Sequence, residues 1–167
     1  MKRPQLPAFA RILRVEDVRR GEARLSFEAN EGERAALAAL DGLVELRSFA
    51  GEIEARVRSG GRVSIKGRAQ ARVVQTCVVS LEDFEAVVEC PIEAEFVEPA
   101  PAAPAGKARR GVRVDAKEID VDPLVEAPEE IRDGKIDVGA LASEALTLSL
   151  DPHPRKPGAT FLAPPEG

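Results

Sequence analysis

Two stretches of this chain, residues 62–77 and 84–97, alternate apolar and charged side chains. Period-two patterning of this length leaves few options besides a pair of half-buried β-strands. In the first stretch Val63, Ile65, Gly67, Ala69, Ala71, Val73 and Cys77 share one parity, and Arg62, Lys66, Arg68, Gln70 and Arg72 the other. In the second, Phe84, Ala86, Val88, Cys90, Ile92, Ala94 and Phe96 alternate with Glu85, Glu89, Glu93 and Glu95. Pairing the two as a hairpin with Arg72 opposite Glu89, Arg68 opposite Glu93 and Lys66 opposite Glu95 puts both apolar parities on one face. Ala69 then meets Ile92 and Ala71 meets Cys90. Cross-strand charge pairs contribute roughly 0.2–1 kcal/mol each, and a one-residue slip would drive glutamates into the core. The basic stripe on 62–72 is therefore expected to be neutralised by its neighbour, which makes it a poor RNA-binding face.

The rest of the chain is read around that hairpin. Glu45 to Arg58 reads as a further strand, joined through Ser59-Gly60-Gly61, with a bulge where its apolar parity changes between Leu46 and Phe49. Phe9 to Val15 and Ala23 to Phe27 read as an opening hairpin around Arg20-Gly21. A short helix is expected over 31–40, with Asn30 as N-cap and Gly42 just past its end. A second is expected over 138–150, with Asp137 as N-cap and Val138, Leu141, Ala142, Ala145 and Leu148 as its apolar stripe. Asp151-Pro152 should end it, and the prolines of 152–158 should hold the following segment extended.

The expected fold is α+β, an antiparallel β-sheet, open or curved into a partial barrel, containing the hairpin 62–77/84–97 and covered by the two helices. Residues 1–97 form the β-rich core and 98–114 a Pro/Ala-rich linker or loop. Residues 115–161 are an acidic segment and a helix that packs on the core, and 162–167 a tail.

With 167 residues, one domain with appended segments is expected. Six Phe, no Trp and no Tyr mean that aliphatic side chains must fill the core. The formal charge of −5 argues against a surface that grips nucleic acid all round. Basic residues nevertheless concentrate in 1–24 and acids in 115–137. We read both runs as ordinary solvated surface. No stretch approaches the ~20 apolar residues of a membrane span, so a cytoplasmic location is expected.

No enzyme motif emerges. Cys90 would oppose Ala71, six residues from Cys77 along the strand, about 20 Å away, and a disulfide needs Cα atoms within ~7 Å. Cys77 with His153, the only histidine, lacks an orienting third group. The acids show no metal-ligand spacing, and no Gly-rich loop links a strand to a helix. If RNA is touched, phosphate contacts from residues 1–24, 107–113 and 155–156 are the means, and they would position without reading sequence.

Three stretches, in order, resemble the YceD family of large ribosomal RNA subunit accumulation proteins, particularly its alphaproteobacterial branch. Glu28-Ala29-Asn30-Glu31-Gly32-Glu33-Arg34-Ala35-Ala36-Leu37-Ala38 is similar to that branch's acidic helix start. Gly67 through Phe84, with Gln75-Thr76-Cys77-Val78-Val79-Ser80-Leu81-Glu82-Asp83, looks like the family's core strand and Cys-containing turn. Lys135-Ile136-Asp137-Val138 through Leu150-Asp151-Pro152-His153-Pro154-Arg155-Lys156-Pro157-Gly158 resembles the closing helix and its proline-basic tail. The resemblance covers roughly residues 9–161.

It implies a non-enzymatic factor for large-subunit ribosomal RNA accumulation and large-subunit assembly, with no catalytic residue and no cofactor. Its partner would be the pre-ribosomal large subunit, met through a ribosomal protein or assembly factor and through rRNA phosphates, with no membrane and no small-molecule substrate. Many relatives carry Cys-x-x-Cys at the turn; Ser80 stands in place of the second cysteine here, so no metal is expected. The partner-binding candidates are Cys77, Leu81 and Glu82 of the turn and Asp151, Arg155 and Lys156 of the tail. For the turn, hairpin packing would explain the same residues; for the tail, a strap that holds the last helix would do so. A small-ligand-binding or adaptor β module without a ribosomal role is the alternative, and predicts a sizeable apolar cavity. A cysteine enzyme would require a depressed thiol pKa at Cys77.

Overall fold

The computed structural model describes residues 9–21, 23–99 and 128–160. In chain order, strand β1 (Ile12–Arg14) runs into helix α1 (Val15–Arg20), followed by β2 (Ala23–Glu28), α2 (Glu31–Asp41) and β3 (Glu45–Val57). The long strands β4 (Val63–Thr76) and β5 (Asp83–Val97) come next, then β6 (Glu129–Glu130), β7 (Lys135–Asp137) and helix α3 (Val138–Ser149). Five strands form one open sheet in the order β2-β3-β4-β5-β6, and β1 pairs with β7 in a separate two-stranded ladder. All pairs are antiparallel except β5 with β6. Among the described residues the sheet does not close into a barrel. The fold is α+β, as the alternating pattern requires.

The helices begin where local chemistry dictates. Asn30 caps α2 in a full capping box, its side chain accepting from the Glu33 N–H while the Glu33 carboxylate accepts from the Asn30 N–H. The left-handed Gly42 ends that helix. Asp137 caps α3 by accepting from the Ala140 N–H at 3.1 Å. The bulge in β3 is present too, as a register shift between Leu46 and Ser48.

The opening hairpin is not formed. β1 pairs with β7 and not with β2, and the residues between are helical. Val15 and Val18, three apart, bury one face of α1, with Glu16 and Asp17 in its first turn and Arg19 and Arg20 in its last, the arrangement that suits the helix dipole. The extended reading of Phe9 to Val15 holds as a strand only for Ile12–Arg14, whose partner lies more than a hundred residues away, and Val15 already begins α1.

The hairpin register also differs from expectation, by two residues. Lys66 faces Glu93, Gln70 faces Glu89, Gly67 faces Ile92, Ala69 faces Cys90, and Arg72 faces Val87. A slip of two preserves every parity, so the core face is unchanged. Two features fix the observed register. The connection needs all six residues from Cys77 to Glu82, leaving Thr76 opposite Asp83 with a 2.7 Å side-chain bond between them. Gly67 lies between Ile53 of β3 and Ile92 of β5. A Cβ at this position would come within 2.3 Å of the Glu52 carbonyl oxygen and 2.6 Å of Ile53 Cγ2, so only glycine fits.

The buried face carries Phe49, Ile53, Val63, Ile65, Ala71 and Val73, and the three helices pack against the sheet, α1 and α2 on β3 and α3 across β5. Phe9, Phe27 and Phe49 form a ring triangle with centroids 5.6–5.7 Å apart. Arg11 lies over the Phe9 ring at 4.3 Å and grips Glu33 through two bonds of 2.8 and 3.0 Å. The opposite sheet face is charged and wet. No helix among the described residues is long and apolar enough to cross a membrane. The linker reading of 98–114 and the acidic stretch 115–127 fall, from residue 100 on, outside the described residues.

Candidate functional site

The expected charge cancellation on the sheet's outer face is present, with partners redistributed. Lys66 meets Glu93 at 2.8 Å, Arg62 meets Glu95 at 3.8 Å, Arg68 reaches back to Glu52 at 3.7 Å, and Arg72 and Arg47 share Glu85 at 4.0 and 2.5 Å. These exposed pairs contribute little stability singly. Together they leave no positive plateau for phosphates on the sheet face among the described residues. Farther up the chain, Arg11, Arg19 and Arg20 are ion-paired with Glu33, Glu98 and Glu16.

The six candidate residues converge at one end of the molecule. The turn from Cys77 to Glu82 is closed by the Cys77 N–H donating to the Glu82 carbonyl and the Leu81 N–H to the Cys77 carbonyl, each at 2.9 Å. The tail after α3 runs back onto it. The Val78 N–H donates to the Pro154 carbonyl at 2.9 Å, and Lys156 Nζ sits 2.8 Å from Glu82 Oε2. Asp151 turns the chain into the tail, accepting from the His153 N–H at 2.9 Å. Turn and tail, separate readings in the sequence, are one corner in the fold.

Cys77 is the buried joint of that corner. The Val79 and Ser80 N–H groups point at its sulfur from 3.4 Å. The Ser80 hydroxyl, then the Ser80 N–H and the N–H groups of Lys156 and Val79, stabilise a thiolate against the opposing effect of burial and bring the thiol down to about 6. Lys156 is held charged by Glu82 first and by the Cys77 thiolate to a smaller extent. Cys90, under α3, behaves oppositely: burial pushes its thiol up. Val78, Ser80 and Pro154 were not read as site residues. The Cys77-Val78-Val79-Ser80 spacing was the available signal for Ser80, because a serine three residues on lies within reach of the sulfur.

Leu81 stands out at the corner. Its side chain is 77% exposed and its backbone is left-handed, with φ 60°. A Cβ-bearing residue holds that conformation at a cost of roughly 1–2 kcal/mol. Val78 beside it is also exposed, and Arg155 has no ion partner among the described residues. The corner thus offers two apolar side chains, a free guanidinium and a fixed Glu82–Lys156 pair, a set suited to docking.

Cys77 has no exposed surface to offer a substrate. Among the described residues, no three His, Cys, Asp or Glu side chains gather as a metal ion would need. Compared with known proteins, the chain matches no family model, no curated protein and no solved structure.

Proposed function

We propose that this chain is a non-enzymatic binding protein that supports large-subunit ribosomal RNA accumulation and assembly of the large ribosomal subunit in the cytoplasm. Its turn–tail corner would be the docking point for a ribosomal protein or assembly factor. The ribosomal assignment rests on the resemblance of the three stretches named above. The docking assignment rests on one observation: an exposed leucine, Leu81, held in a backbone conformation that favours glycine or asparagine. A strained side chain that is 77% exposed buries little in the fold, and strain of this kind tends to sit where a surface has work to do. The neutral sheet face favours a protein partner over bare RNA.

The test is depletion of the protein followed by separation of ribosomal subunits on a gradient. Large subunits should fall relative to small ones, wild-type chain should restore them, and Leu81→Gly combined with Arg155→Glu should not. Unchanged subunit ratios on depletion would remove the ribosomal reading, and full rescue by the double variant would remove the corner from it.

One observation favours a second reading, a thiol-dependent activity: the thiol at Cys77 lies near 6, where such chemistry operates. Burial of the sulfur opposes it. Rapid alkylation of Cys77 in the native protein at pH 7 would revive it.

A further inference from the structure

Eight residues past the turn along β5, and three residues before Asp151 on α3, begins a groove of about 650 Å³ between the outer edge of that strand and the helix. Ile92 and Ala94 of β5 and Leu141, Ala145 and Leu148 of α3 give it an apolar floor. Leu148 is 78% exposed, although it lies on a helix whose opposite side is fully packed. The rim is acidic without exception: Glu93, Glu95, Glu129 and Glu144. Glu93 and Glu95 are already engaged by Lys66 and Arg62, whereas Glu129 and Glu144 have no ion partner among the described residues.

The strand edge itself is unfinished. β6 covers β5 only at Phe96 and Val97, where the Ile131 N–H donates to the Val97 carbonyl at 2.8 Å. That edge therefore accepts an added strand at its end. From Asp83 to Glu95 no described strand pairs with it. Pro91 removes one donor along this length, which protects the edge against indiscriminate pairing. Backbone groups unpaired among the described residues, an apolar floor and a one-sign rim together specify an occupant: an extended peptide that adds backbone bonds, buries alternate apolar side chains and neutralises glutamates.

We infer that this groove binds a basic, extended peptide segment of a partner protein as an added strand along β5. Alternate residues of the segment are aliphatic and face Leu141, Ala145 and Leu148, and its lysines or arginines face Glu129 and Glu144. The site is independent of the ribosomal reading and of Leu81, and its test needs neither.

A labelled peptide of alternating lysine and valine, eight residues long, serves as the probe, with an alternating glutamate–valine peptide as control. Anisotropy titration of the full chain should show saturable binding of the basic peptide alone, weakening as salt is raised. Glu144→Lys and, separately, Leu148→Asp should each weaken it about tenfold or more, while Glu52→Lys on the outer sheet face leaves it unchanged. Both groove positions are exposed, so the variants should fold, and unaltered circular dichroism checks this. Equal loss with Glu52→Lys would mean general charge attraction and would overturn the inference. Absence of saturable binding would overturn it as well.

Discussion

Lys156 and Glu82, 74 residues apart in the chain, meet at 2.8 Å and close the tail onto the hairpin turn. The contact lies beside the Val78–Pro154 backbone bond, so the ion pair and the backbone bond should open together. Lys156→Glu sets two negative charges against each other at an exposed site. Global stability should change little, because exposed pairs contribute little. The Val78 amide should lose protection locally, exchanging about tenfold faster or more. Amide exchange followed by NMR reads this directly, and an unchanged Val78 rate would show that the tail is held by something other than the pair.

Cys77 makes the corner sensitive to pH. An unfolded cysteine titrates near 8.5, whereas the folded thiol is brought to about 6, chiefly by the Ser80 hydroxyl and N–H. Between those values the unfolded chain binds the extra proton, so stability rises with pH across that window; it is fully present above it and lost below about 6. Cys90 has the opposite sign, because its raised thiol subtracts stability once an unfolded cysteine ionises above ~8.5. Urea midpoints at pH 5.5, 7 and 8.5 should therefore climb in the wild type and climb less in Cys77→Ala. Ser80→Ala should flatten the profile part of the way. An identical slope in all three proteins would remove the thiolate from the account.

What the sequence made legible was local. Period two in residues 62–97 fixed the strands and their buried face, and Asn30 and Asp137 fixed two helix starts, because each signal is complete within a few residues. The pairing of Ile12–Arg14 with Lys135–Asp137 was not legible: three residues carry no periodicity, and the partner lies across the chain. The hairpin register escaped for a different reason. Lys66, Arg68 and Arg72 against Glu85, Glu89, Glu93 and Glu95 repeat at a spacing of two, so sliding by two exchanges one charge pair for another. Only the six-residue turn and the fit of Gly67 between two isoleucines distinguish the alternatives. The candidate residues were found as two short segments, but their meeting was not, since nothing in a proline-rich tail says where it turns back.

Gly67 makes the register argument testable. Glycine in a strand is ordinarily improved by alanine, which narrows the unfolded ensemble by about 0.4–1 kcal/mol. Here the added methyl would meet the Glu52 carbonyl at 2.3 Å and Ile53 on the neighbouring strand. Overpacking of this kind costs about 1–3 kcal/mol. Gly67→Ala should lower the melting temperature by roughly 3–10 °C for a chain of this size. A rise instead would mean that the strands separate more easily than the Ile53–Gly67–Ile92 row implies.

Arg11 joins three elements. It grips Glu33 in α2, its N–H donates to Asp137 Oδ1 at the start of α3, and its guanidinium donates to the Glu28 carbonyl at the end of β2. Glu33 is held below the usual carboxylate range, first by the Arg11 hydrogen bond. Its contribution is therefore present near neutral pH and fades as pH falls through that lowered value. Arg11→Ala should cost about 1–2 kcal/mol near pH 7 for a partly exposed bidentate pair, and the deficit should shrink in acid. Thermal melts of Arg11→Ala and Glu33→Gln at pH 7 and pH 3 test it; a deficit that does not shrink would assign the loss to packing on Phe9 instead.

Leu81 separates folding from function more sharply than any other position. Glycine adopts φ 60° without the Cβ penalty of roughly 1–2 kcal/mol, though it brings a backbone entropy cost of roughly 0.5–1 kcal/mol. The side chain is 77% exposed, so little burial is lost. Leu81→Gly should therefore leave the fold as stable as before or firmer by up to about 1 kcal/mol, read from chemical denaturation. A residue serving only the turn would show that gain with no other consequence. If the exposed leucine is what a partner grips, the same variant should bring down less of that partner from cells while melting no lower than wild type. A clear loss of stability would show that Leu81 is part of the hairpin's packing, and the docking role would then pass to Val78 and Arg155.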